Sequence, residues 1–164
     1  MVDGHFFPTL IDFATAFTYI LLPYLLGLIH FGKFPSKQQK KNVIFLYYLV
    51  ISVGIQGIYT GFWQVFYPQH VAEFLKWPNS PFLAELGAAN IAFGILGVLC
   101  PIMDVGWKAA AAINYSLFLF LTGIMHIVNN IRFGLSSGDF GAFVISDITV
   151  AAILIFCLIQ NLRG

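Results

Sequence analysis

Residues 82–103, FLAELGAANIAFGILGVLCPIM, are apolar throughout apart from Glu85 and Asn90. At 1.5 Å per residue, a helix over this stretch is about 33 Å long, which matches a hydrocarbon core of about 30 Å. Gly87, Asn90, Gly94 and Gly97 recur along one stripe of that helix, small enough for a neighbouring helix to approach closely. Working outward from it, four further runs of spanning length fall at about 11–32, 43–67, 107–132 and 141–162. Pro23 lies inside the first, where neighbours can re-satisfy the freed carbonyl and a kink is expected rather than a break. Ser80 and Pro81 suit the cap and first helical position of the third, and Gly134, Ser136, Ser137 and Gly138 form a turn before the last. The expected fold is therefore all-α: a polytopic membrane bundle of five transmembrane helices in a single domain over residues 1–164.

Composition agrees with that class. The chain is 59% hydrophobic, 17% aromatic and 9% charged, where a water-soluble domain would carry about 25% charge. Its mean hydropathy is +0.85. A net charge of +1 leaves no basic surface for a nucleic acid backbone. Cys100 and Cys157 fall in apolar runs without metal or redox spacing and read as buried thiols. The start, MVDGHFFPTL, lacks the basic region and cleavage site of a signal peptide, so the first helix is expected to be retained.

Loop cations set the expected direction. Lys33, Lys37, Lys40, Lys41, Lys108 and Arg163 fall on one side, against Lys76 and Arg132 on the other. The positive-inside rule then places the N-terminus outside and the C-terminus in the cytoplasm, in a cell (inner) membrane. Residues 68–78 are too few to span. They set Val71, Phe74 and Leu75 on one helical face beside His70, Glu73 and Lys76, as expected of a short interfacial helix on the outer surface.

Ionisable groups in membrane spans are costly and face a bundle interior or water, so their depth is informative. Asn90, His126 and Asp147 each fall roughly 9–12 Å inside the outer boundary by helical rise. Gln56, Tyr59, Thr60 and Trp63 bring the second span to the same level, with Asp12 and Glu85 nearer the edge. Tyr115, Thr122, His126 and Asn129 share one stripe of the fourth span; Ser52, Gln56, Tyr59 and Trp63 share one of the second. Gln56, Tyr59, Trp63, Glu85, Asn90, His126, Asn129 and Asp147 are thus the candidate ligand-binding residues. Glu85 fits least, since it and Asn90 point about 140° apart on an ideal helix. A buried Asp147 requires a partner such as His126, Asn90 or Tyr59, or a water-filled cavity. His30 and Asp104, near helix ends, read as solvated. No spacing supplies two metal ligands from one helix, so no metal site is expected.

The stretch FLKWPNSPFLAELGAANIAFGILGVL, residues 74–99, resembles the DoxX-like small bacterial membrane proteins in its proline-bearing outer loop followed by Glu85, Gly87, Gly94 and Gly97. The resemblance covers the third span and its approach. It implies a compact helical bundle and, for some relatives, association with quinone-linked membrane redox systems; the fifth span departs from the usual four-helix pattern of that group. Three functions compete. The first is a membrane protein whose outer-leaflet pocket binds a small apolar molecule, lipid- or quinone-like, serving as an accessory to a redox partner subunit or as a homo-oligomer; the abundance of aromatics, 18 of them Phe, suits such a lining. The second is an intramembrane isomerase or oxidoreductase using Asp147 or Glu85 with His126. The third, a transporter or proton pathway, is weakened by an inner half that offers chiefly Asn114, Tyr115 and Ser116.

Overall fold

The protein is described by a computed structural model over residues 6–33, 36–75, 77–133 and 140–163. It is built from α1 (Phe6–His30), α2 (Lys37–Tyr47), a π-helical segment (Tyr48–Ile55), α3 (Gln56–Phe66), α4 (Pro68–Leu75), α5 (Phe82–Leu99), α6 (Val105–Phe133) and α7 (Phe140–Leu162). No strand occurs among the described residues. Single 3₁₀ turns follow α1 and α5, at Phe31–Lys33 and Cys100–Ile102. The expected turn at Gly134–Gly138 lies outside the described residues, as does Lys76.

Four helical stretches are long and apolar enough to cross a membrane: Lys37–Phe66, Phe82–Ile102, Val105–Asn129 and Val144–Leu162. In α1 the corresponding apolar run is shorter, Phe17–His30. Apolar side chains such as Ile29, Ile102 and Ile131 are more than 70% exposed on the outside of the bundle, which in water would be costly and in lipid is not. The chain is thus a multi-pass membrane protein.

Local chemistry explains the element ends. Ser36 caps α2 with a full capping box: its hydroxyl accepts from the Gln39 N–H and the Gln39 side chain accepts from the Ser36 N–H. The Ser80 hydroxyl accepts from the Phe82 N–H at 3.3 Å, but the cap position of α5 falls on Pro81 rather than on Ser80, one residue later than expected. Asp104, expected to be merely solvated, instead caps α6, its Oδ1 accepting from the Trp107 N–H at 2.8 Å. His30 is likewise engaged: the Tyr47 hydroxyl and His30 Nδ1 are hydrogen-bonded at 2.6 Å and the two rings stack. The Gln38 amide donates to the Asn161 carbonyl at 3.3 Å, which places the start of α2 and the end of α7 at one end of the bundle.

α1 runs through Pro23 without a break. A proline has no N–H, so the carbonyl four residues earlier, that of Tyr19, loses its helical donor. The Ser52 hydroxyl donates to that carbonyl at 2.6 Å, and the Tyr48 hydroxyl donates to the neighbouring Ile20 carbonyl at 2.8 Å. Both donors come from the π-helical segment. Helical phase therefore changes just where α periodicity set Ser52 on the stripe of Gln56, Tyr59 and Trp63, and Ser52 turns to α1 instead.

The closest helix pair is α3 with α5. A Cβ on Gly61 would stand 2.5 Å from the Gly87 carbonyl oxygen, one on Gly94 2.6 Å from the Ile58 nitrogen, and one on Gly97 2.5 Å from the Gly54 nitrogen. The expected stripe of α5 thus meets a matching one, Gly54, Gly57 and Gly61, on the preceding helix. The other close pair is α6 with α7. The core joins both around Leu49, Val53, Cys100, Ala112, Tyr115, Val150 and Leu154, all nearly or fully buried.

Candidate functional site

The glycine seam brings α3 and α5 together so closely that large side chains leave it sideways, and on one flank they border a cavity of about 560 Å³. That volume lies within the usual range for small-molecule sites, about 300–1,000 Å³. α3 supplies Gln56, Tyr59, Thr60, Trp63 and Gln64; α5 supplies Leu86 and Asn90. The opposite wall is Tyr115, Phe118, Leu119, Thr122 and His126 from α6, with Ser146 and Asp147 from α7. Tyr19 of α1 closes one side.

The short α4 closes another, through His70, Val71, Phe74 and Leu75, with Trp77 from the segment after it. α4 is amphipathic: Ala72 is buried whereas Gln69 and Glu73 are exposed and hydrogen-bonded to each other at 2.9 Å. The helix expected to lie on the surface therefore also lines the cavity, and His70, expected on its polar side, is exposed and borders the cavity.

Six of the eight candidate residues meet here: Gln56, Tyr59, Trp63, Asn90, His126 and Asp147. Glu85 and Asn129 are not among the lining residues. Glu85 is exposed in the first turn of α5, on the other side of that helix from Asn90, as the angular argument requires. Asn129 lies about one turn past His126, the last lining residue of α6. Sequence reasoning missed Gln64, Trp77, Tyr19, Phe118 and Ser146. A signal for Gln64 existed in its position one turn after Thr60. None marked Trp77, which reaches the cavity only because α4 folds back.

Polar groups in the cavity differ in how they are satisfied. The Asn90 amide donates to Gln64 Oε1 at 2.8 Å, linking two buried side chains of α5 and α3. The Thr122 hydroxyl donates back to the Phe118 carbonyl at 2.8 Å. The His126 ring packs on that of Trp77, with centroids 6.0 Å apart. Gln56 Oε1 is enclosed and has no donor among the described residues. Asp147 packs beside Gly123 of α6, where a Cβ would stand at ordinary contact distance, 3.7 Å, from that of Asp147. No hydrogen bond or ion pair reaches the Asp147 carboxylate from the described residues, so of the two expected environments, a protein partner or a cavity, it has the cavity.

Tyr59 and Trp63 stand edge to face at 6.3 Å, and Tyr115 and Phe118 lie tilted at 6.1 Å, so opposite walls are both aromatic. Among the described residues no three His, Cys, Asp or Glu side chains come together as a metal-binding group. What remains is an apolar, aromatic-walled chamber with a carboxylate, an imidazole and amides in its lining, an arrangement that can orient a small amphipathic molecule.

No curated protein and no solved structure matches the chain. Residues 13–164 match the family described as "Family of unknown function (DUF6790)". A match over nearly the whole chain means that the protein belongs to the DUF6790 family.

Proposed function

We propose that the cavity binds a small molecule with a largely apolar body and a polar head, of lipid or quinone type. The observation that carries this reading is the chamber itself, lined by aromatic residues of α3 and α6 and holding Gln56 Oε1 and the Asp147 carboxylate, neither with a donor among the described residues. Polar groups without protein partners inside an apolar chamber are costly unless something else satisfies them. Accessory function in a membrane redox system rests on the resemblance to DoxX-like proteins and on nothing further.

In the same reading α1 is a fifth span, its 25 residues giving roughly 37 Å of helix. The six cations at the end shared by α2 and α7 mark that end as cytoplasmic. The cavity then opens in the outer leaflet, with α4 on the membrane surface.

Native mass spectrometry of the purified protein tests the binding role. An organic ligand should co-purify, and Thr122→Phe, which projects bulk into the cavity, should lose it while the protein stays monodisperse. A protein that carries no organic ligand, or a variant that keeps it, would remove the basis for this function.

A further inference from the structure

We infer that the cavity is built for a lipophilic organic cation, an amphiphile with a protonated amine head rather than a neutral or anionic one. This deepens the binding role proposed above and rests on it. Three observations converge. The first is charge. Among the described residues Asp147 is the only carboxylate that lines the cavity, and no Lys or Arg lines it. A carboxylate in such surroundings is expensive to leave unpaired, and a bound cation neutralises it without bringing net charge into the chamber.

The second is hydrogen-bonding polarity. Gln56 Oε1 and the Asp147 carboxylate are both acceptors without donors from the described residues, whereas Gln64 Oε1 already accepts from the Asn90 amide. An ammonium head supplies N–H donors and accepts nothing, so it complements this pair of groups. The third is the wall. Tyr59, Trp63, Trp77 and Tyr115 present aromatic rings to the same space, and such rings attract organic cations through their negative faces while also packing against an alkyl body.

Three probes with the same ten-carbon tail separate the possibilities: decylamine, decanol and decanoate at neutral pH. Binding is read from tryptophan fluorescence of the purified protein, since Trp63 and Trp77 both line the cavity. Decylamine should bind saturably, on the order of tenfold more tightly than decanol, with decanoate weakest. Asp147→Asn should bring the amine down to the alcohol, and Asp147→Glu should keep the amine preference. Equal binding of amine and alcohol by the unmodified protein, or an amine preference that survives in a monodisperse, helical Asp147→Asn variant, would overturn the cation inference while saturable decanol binding keeps the cavity as a ligand site. Failure of all three probes to bind would overturn both. The ranking in the unmodified protein stands even if the Asn variant does not fold.

Discussion

At Pro23 the chain gives up a helical hydrogen bond where water cannot replace it, and Ser52 supplies the substitute donor. Ser52→Ala should therefore leave the Tyr19 carbonyl unsatisfied and cost about 1–3 kcal/mol, seen as a lower melting temperature in detergent. Pro23→Ala restores an N–H to α1 and should rescue most of that loss, so the double variant should be more stable than Ser52→Ala alone. Additive losses would show that the hydroxyl and the proline are unconnected. The sequence revealed Pro23 and the need for a local donor, but it pointed Ser52 at the wrong partner. The reason is physical: a π turn changes the phase of a helix through its hydrogen-bond register, and no residue spacing records that. Asp104 and His30 were misread for a related reason, since a cap or a stacked ring depends on what the fold brings within about 3 Å.

Among elements, the α3–α5 seam is the tightest. Gly61→Ala forces a Cβ to 2.5 Å from a backbone carbonyl, which no side-chain rotation relieves, so the two helices must separate. A loss of about 1–3 kcal/mol or more is expected. Gly32→Ala, where a Cβ meets nothing within 4 Å, should be close to neutral in the same melting assay. Half of this seam was legible: the α5 stripe Gly87, Gly94 and Gly97 stood out at helical spacing. Its counterpart was present as GIYTG at 57–61, a small-xxx-small pattern masked by the more conspicuous Gln56, Tyr59 and Trp63 beside it. The same depth-and-stripe reasoning located the six polar residues that share the cavity, because depth in a membrane helix follows from rise alone. It also took in Asn129, which is not among the lining residues, because a stripe says nothing about where a cavity ends.

For the whole molecule, direction across the membrane follows from loop charge. Single cysteines at 36 and 136, in a background with Cys100 and Cys157 replaced by Ala, should label differently: the second in intact cells, the first only after permeabilisation. The reverse pattern would place the cavity toward the cytoplasm. Length and composition were plain in the sequence for four of the five expected spans, because hydrocarbon thickness imposes them; α4 as a wall of the chamber was not, since that depends on how the chain folds back. The seam has one more consequence, a mechanical one. Where backbone lies on backbone there are no rotamers to rearrange, so the spacing of α3 and α5 is set as if by a solid hinge plate. Any change in the width of the chamber must therefore come from its other walls, α4 and the α6–α7 pair, and not from this seam.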